Sequence, residues 1–135
     1  MVKLMKQRVL VKQKNQITNE EFLMADGMCE IRTDENKREV FYHELDAAST
    51  KVEMFIHKDQ LTIIRHGEVV STLHFRNNEK TVGTVLSEFG EFQIELFTRR
   101  YLCANETIAV EYDVLSGDEV SDSFRILWKI RRDDA

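Results

Sequence analysis

Arg65 and Glu44 are the residues of this chain best suited to hold a polar or charged ligand. Arg65 follows Leu61 and Ile63 at alternate positions, so a regular strand points its guanidinium to the same side as these apolar residues. On that side it needs a partner such as Glu44, because an unpaired internal charge is costly. We therefore expect either an anion clamp for a carboxylate or phosphate, or an arginine at a strand end that reaches water.

Three further residues complete the predicted ligand-binding set, namely Arg8, Thr98 and Tyr112. Arg8 adds a second cation from the first predicted strand. Thr98 and Tyr112 offer hydroxyl groups beside Arg65, although each is equally compatible with a core residue whose hydroxyl is satisfied.

Recognised signatures of enzymatic or metal chemistry are missing from the sequence. Cys29 and Cys103 are far apart, with no C-x-x-C pair, and are interpreted as reduced structural thiols. There is no nucleophile elbow, phosphate loop or dinucleotide fingerprint. The sequence therefore predicts no metal, no cofactor and no catalytic residue, although a triad assembled from distant residues stays open. The histidines lack H-x-H and H-E-x-x-H spacing and are His43, His57, His66 and His74.

Alternation of apolar and polar residues at period two marks the elements that must position these side chains. It is clearest in two predicted strands, 107–115 and 123–131, which the turn-rich segment S-G-D-E-V-S-D joins into a hairpin with one buried side. Together with the predicted strand 91–98 they supply a bulky interior. Its members are Phe92, Ile94, Leu96, Ile108, Val110, Tyr112, Val114, Phe124, Ile126, Trp128 and Ile130.

The same rhythm upstream brings the total to about nine or ten strands. The connections are too short for crossover helices, so the sequence predicts an all-β fold, a single antiparallel up-and-down barrel of about 8–10 strands in one domain over residues 1–135. We expect Phe41 opposite Phe55, Tyr42 opposite Met54, and a positive φ at Gly90. The other predicted strands are 2–14, 26–33, 38–45, 51–58, 61–65, 68–75 and 81–86, and residues 99–104 either continue or cap strand 91–98.

Composition and charge narrow the classes of partner. The chain is 42% hydrophobic and 32% charged, which is typical of a globular domain. A net charge of -5 argues against a general affinity for nucleic acid or an anionic membrane. No signal-peptide pattern or membrane-length apolar run is found, so we expect a cytoplasmic protein. The oligomeric state is not predicted.

Basic residues nevertheless gather in the first and last predicted strands. If these strands pair, they form one basic stripe, which is either a solvated surface or an interface for nucleic acid or an acidic partner. The residues are Lys3, Lys6, Arg8, Lys12, Lys14, Arg125, Lys129, Arg131 and Arg132.

The segments IIRHGEVVSTLHF, TVGTVLSEFGEFQIELFT, TIAVEYDV and SFRILWKIRR resemble the YwiB-like family of small uncharacterised bacterial proteins, over nearly the whole chain. The family pattern has an arginine and a glycine flanking one residue, here Arg65-His66-Gly67, and a threonine closing a later strand, here Thr98. A tyrosine-rich strand before a glutamate is matched loosely by residues 41–44. The chain departs from the pattern at Ser87-Glu88-Phe89-Gly90, where T-P-Y-G is usual, and at Val85, where an aromatic residue is common.

This resemblance implies a lipocalin-like, calycin-type β-barrel with a ligand cavity, and it carries no activity over to this chain. A barrel of this size is either filled by side chains or holds one small ligand. Three functions therefore stand as hypotheses: a binding protein for a small amphipathic or anionic ligand at one barrel end, an interaction module that uses the basic strands, and an enzyme, which has no positive support in the sequence. A packed barrel without a ligand is the alternative to all three.

Overall fold

Ten β-strands make up most of residues 3–131, the part of the chain that this computed structural model describes. No helix long and apolar enough to cross a membrane occurs within these residues. The strands are β1 Lys3–Asn15, β2 Glu21–Asp34, β3 Lys37–His43, β4 Lys51–Ile56, β5 Gln60–His66, β6 Val70–Arg76, β7 Lys80–Ser87, β8 Gly90–Cys103, β9 Thr107–Ser116 and β10 Glu119–Arg131.

Each strand pairs with its neighbours in the chain, and β1 also pairs with β10, so the sheet closes into a barrel. All pairings are antiparallel, which two-residue to seven-residue connections allow. The predicted all-β, up-and-down barrel is therefore confirmed.

Alternating strand direction places the connections at two ends of the barrel. We call one the mouth end, with connections 16–20, 44–50, 67–69, 88–89 and 117–118. The opposite end carries connections 35–36, 57–59, 77–79 and 104–106. Because β5 runs from the opposite end to the mouth end, its last residues, including Arg65, lie at the mouth.

The core fills the barrel between these ends. Alternate residues of every strand face inward, as in β9, where Ile108, Val110 and Tyr112 are buried. The indole of Trp128 is buried and donates a hydrogen bond of 2.9 Å to the Tyr42 hydroxyl, which satisfies its N–H group. The predicted interior residues of β8, β9 and β10 face inward, but one of them, Phe92, is 55% exposed because it lies at the mouth.

Two predicted features of the N-terminal half were wrong. β2 begins at Glu21 rather than at Asp26, because residues 21–25 pair with the extended end of β1 and a bulge absorbs the extra residue. In the β3–β4 hairpin, Phe41 lies opposite Glu53 and not opposite Phe55. The connection there is longer than predicted, since the chain leaves the ladder before Glu44, and this shifts the register by two residues.

The C-terminal half differs mainly by irregularities in the ladder. β8 continues to Cys103 through a register shift between Thr98 and Arg100. β10 begins at Glu119, with another shift between Val120 and Asp122. Gly90 has the expected positive φ, 125°. Residue 2, the predicted start of the first strand, lies outside the described residues.

Candidate functional site

Arg65 and Glu44 meet inside the mouth end. Arg65 is the second-last residue of β5, and Glu44 directly follows β3. The Arg65 Nε and Nη2 atoms donate to Glu44 Oε1 at 3.2 and 2.5 Å. The Glu44 side chain is only 6% exposed, whereas that of Arg65 is 41% exposed. The structure thus holds a buried carboxylate under a guanidinium that reaches the mouth, which is the pairing expected for an inward Arg65.

Connection 44–50 holds Glu44 in this position. The Glu44 N–H group donates to the Thr50 carbonyl at 2.8 Å, and Asp46 accepts hydrogen bonds from the Thr50 N–H group and hydroxyl at 2.8 and 2.5 Å. These bonds from Thr50 hold the pKa of Asp46 below its ordinary value, with a smaller contribution from the charge of Arg65. Gly67 leaves the space that Thr50 fills, since a Cβ atom there would lie 2.8 Å from the Thr50 hydroxyl.

The pair leaves little net charge at the site. Burial lowers the pKa of Arg65, but the hydrogen bonds and charge of Glu44 outweigh it, so the pKa is raised and the guanidinium stays charged. Glu44 offsets this positive charge, and Asp46 adds a negative one nearby. An arginine in this setting is a poor clamp for a free anion.

A small enclosed cavity lies beneath the ion pair. Its volume is about 50 Å³, which is room for only one or two water molecules. The interior is therefore packed over most of its length and open only at one end. The cavity is lined by Val11, Gln13, Met24, Tyr42, Glu44, Val52, Ile63, Arg65, Leu73, Tyr112, Ile126 and Trp128.

Several polar groups at this cavity have unused hydrogen-bonding capacity. Within the described residues, no hydrogen bond reaches the Tyr112 hydroxyl or Glu44 Oε2. Burial raises the pKa of Tyr112, against an opposing effect of the nearby Arg65 charge, so its hydroxyl stays protonated and can donate. The site thus offers a donor and an acceptor in a mainly apolar setting.

The remaining predicted residues lie elsewhere. Thr98 is fully buried and faces Tyr112 across the β8–β9 ladder, but it does not line the cavity, and its hydroxyl lacks a partner among the described residues. Arg8 lies on the outer wall, 3.6 Å from Asp26. The structure therefore brings Arg65, Glu44 and Tyr112 together and separates Arg8 from them.

Sequence reasoning missed three polar residues that line the site or support it. Gln13 has the inward parity of Val9 and Val11, a signal as readable as that of Arg65. Tyr42 lies two residues before Glu44, on the same side of the strand. Asp46 is the third missed residue. No sequence pattern indicates its contact with Thr50, because that contact depends on the conformation of connection 44–50.

The predicted basic stripe forms on the outer wall. β1 and β10 place Arg8 opposite Arg131 and Lys14 opposite Arg125. Acidic neighbours reduce its charge, since Asp26 pairs with Arg8 and Glu111 lies opposite Arg125. Arg132 and the side chain of Lys3 lie outside what the structure describes.

A larger hollow, with a volume of about 760 Å³, lies at the opposite end. It is wide open and lined mainly by polar residues of the connections, and four of its lining residues are bonded to one another. Arg76 pairs with Glu79 at 2.8 Å, and the Tyr101 hydroxyl donates to the His57 carbonyl at 2.7 Å. No group of three His, Cys, Asp or Glu side chains in the described part of the chain could hold a metal ion. We therefore assign the candidate site to the mouth end.

Comparison with known proteins agrees with this architecture. The crystal structure of ywiB protein from Bacillus subtilis superposes with a TM-score of 0.78 over 97% of this chain and 94% of that chain, at 16% sequence identity. At that identity the likeness shows the fold alone. No curated protein matches the chain. The predicted YwiB-like assignment, with its lipocalin-like barrel, is confirmed. A family model described as a domain of unknown function, DUF1934, matches residues 7–127, and the chain therefore belongs to the DUF1934 family.

Proposed function

We propose that this protein is a binding protein that receives a small amphipathic molecule in the mouth of its barrel. The observation that carries the proposal is the Arg65–Glu44 pair, held in the barrel interior beside an enclosed cavity. Charged groups are costly to bury, and even a paired buried charge often stabilises a protein no more than apolar residues of similar volume. A packed barrel would therefore be simpler without this pair. With the Tyr112 hydroxyl, the pair provides a polar anchor for a head group.

Apolar side chains supply the other half of the proposed site. Four of them pack against the core and remain partly exposed, namely Leu73 on β6, Ile94 on β8, Val114 on β9 and Phe124 on β10. Such partly covered apolar surface next to a few convergent polar groups is typical of small-molecule sites.

The size and charge of the site narrow the ligand class. A cavity of about 50 Å³ admits a head group of one or two heavy atoms and cannot enclose a whole ligand. Because Glu44 offsets the charge of Arg65, a neutral head group such as a hydroxyl, an amide or an aromatic amine fits better than a carboxylate or phosphate. The apolar remainder of the ligand would lie in the mouth.

Native mass spectrometry of gently purified protein, compared with the denatured mass, tests this proposal for a co-purified ligand. We expect an additional mass that Arg65→Ala loses. Arg99→Ala is the matched control, because Arg99 pairs with Asp113 at 3.0 Å outside the cavity; it should keep the additional mass. A mass retained by Arg65→Ala and Arg99→Ala alike would contradict the proposed anchor.

Titration with N-phenyl-1-naphthylamine, a neutral amphipathic fluorophore, does not depend on a co-purified ligand. The wild-type protein should enhance its fluorescence, and Arg65→Ala should weaken binding by about tenfold, as expected for one lost charge-assisted contact. Absence of enhancement in the wild type would favour a packed barrel without a ligand.

We also propose a cytoplasmic location. Cys29 and Cys103 are both free thiols, which fits a reducing compartment.

A further inference from the structure

Exposed apolar side chains surround the mouth end. Each of its five connections carries or adjoins at least one of them. Their exposure ranges from 42% at Val69 to 84% at Phe89. We call this set the apolar rim, and its residues are Ile17, Phe22, Leu45, Val69, Phe89, Phe92 and Val120.

The opposite end of the same barrel provides an internal comparison. None of its four connections, all within the described residues, has an exposed large apolar side chain. Leu4, Val82 and Leu102 are exposed near that end, but they lie on the outer wall of β1, β7 and β8. Isolated apolar residues on a surface are ordinary, whereas a set gathered at one end indicates an interaction site.

The charge at the mouth end is mostly negative. The five connections contain no lysine or arginine. Glu44 is buried against Arg65, so its charge is already offset, and the other acidic residues are exposed. Neighbouring strand ends add three exposed acids, Glu21, Glu91 and Glu119, and one exposed cation, Lys51. The acidic residues of the connections are Glu20, Glu44, Asp46, Glu68, Glu88 and Asp118.

We propose that the apolar rim docks a cationic amphipathic polypeptide segment of a partner protein. Apolar side chains of such a segment would cover the rim, and its lysines or arginines would face the surrounding acids. An anionic lipid surface does not fit, because it would repel these acids. The basic stripe of a second copy of this chain is a weaker match, because Asp26 and Glu111 already reduce its charge. This inference goes beyond the small-molecule site, since it concerns the surface around it.

Fluorescence anisotropy with a labelled synthetic peptide tests the proposal. The probe is a Lys/Leu peptide of about 15 residues with leucines spaced for one helix face, and its counterpart carries Glu in place of every Lys. We expect the cationic peptide to bind at least about tenfold more tightly, with an affinity that falls as salt rises. Equal binding of both peptides, or no binding of the cationic one, would overturn the proposal.

Two charge-reversed variants distinguish the effect of the acidic residues at the mouth on peptide binding from the effect of the protein's net charge. Glu88→Lys with Asp118→Lys should weaken binding of the cationic peptide by about tenfold or more. The control is Glu35→Lys with Glu106→Lys, which changes the net charge equally but at the opposite end, and it should weaken binding less than about twofold. Equal losses in the two variants would refute a site at the mouth.

The apolar contribution and the alternative occupant have their own tests. Phe89→Ser with Leu45→Ser should weaken peptide binding without unfolding the protein, since both side chains are exposed. Self-association in sedimentation that these substitutions abolish would overturn the proposal in favour of a second copy. Arg65→Ala should keep peptide binding while it binds the small fluorophore about tenfold more weakly, so failure of one proposal is distinguishable from failure of the other.

Discussion

Removal of the two partners of the Arg65–Glu44 pair should have unequal effects on stability. In Arg65→Met, the Glu44 carboxylate stays buried and loses both of its hydrogen bonds. In Glu44→Gln, the amide oxygen can still accept from Arg65, whose guanidinium already reaches solvent. Stability should therefore fall more in Arg65→Met, which leaves Glu44 buried without a partner, than in Glu44→Gln.

The expected magnitudes follow from burial. Breaking a fully buried pair costs about 3–5 kcal/mol, and access of water at the mouth reduces this to about 2–3 kcal/mol for Arg65→Met. Glu44→Gln replaces charge-assisted hydrogen bonding to the half-exposed Arg65 by neutral hydrogen bonding, which should cost about 1 kcal/mol of stability.

Equilibrium unfolding in urea measures these differences through Trp128, the single tryptophan, which is buried near the site. The control Arg99→Met should cost less than about 1 kcal/mol, because its partner Asp113 keeps a hydrogen bond from Ser123. Equal losses of stability for Arg65→Met and Glu44→Gln would contradict this expectation.

Three further outcomes can be checked by the same unfolding assay or by thiol labelling. Thr98→Val should stabilise the protein by about 1 kcal/mol, because it removes a buried hydroxyl that lacks a partner; a loss of stability would show that the hydroxyl is satisfied. Gly83→Ala should cost about 2–3 kcal/mol, since its Cβ would lie 2.5 Å from the Thr72 carbonyl oxygen. The matched change Gly27→Ala has open space around its Cβ and should be neutral or slightly stabilising; similar costs for both would contradict this. Burial raises the pKa of Cys29 from 9.0 to about 11, so at about pH 8 its thiol in Cys103→Ser protein should react with a disulfide reagent about 100-fold more slowly in the native than in the unfolded state. The stability that this protonated thiol contributes is complete below about pH 9 and should be lost as pH rises towards about 11; fast native labelling would refute the burial effect.

Much of the fold could be predicted because alternation at period two was regular in the relevant segments. In β9 and β10, inward residues such as Val110 and Ile126 follow one parity without interruption, so face and pairing were both readable. The same alternation put Arg65 on the side of Leu61 and Ile63 and suggested Glu44 as a partner, but it left open whether the guanidinium reaches water. It failed for β2, where Glu21 to Ala25 form a mostly apolar run without alternation, and where a bulge changes the parity.

Other features depend on geometry that a sequence pattern does not contain. The register of β3 and β4 follows from the hydrogen bonds between Asp46 and Thr50, which set the length of the connection. Arg8 has the charge expected of a ligand-binding residue, but its parity places it on the outer wall beside Asp26. The apolar rim could have been found from the sequence, since its residues fall in or beside alternate connections of a meander.

Mapping of N-phenyl-1-naphthylamine binding by amide chemical shifts in two-dimensional NMR tests the central claim most directly. We expect the largest shifts at the mouth, at Arg65, Leu73 and Tyr112, and in Arg65→Ala the shifts at Leu73 and Tyr112 should require about tenfold more ligand. Shifts concentrated at the opposite end, in connections 57–59 and 77–79, would contradict the proposed binding site.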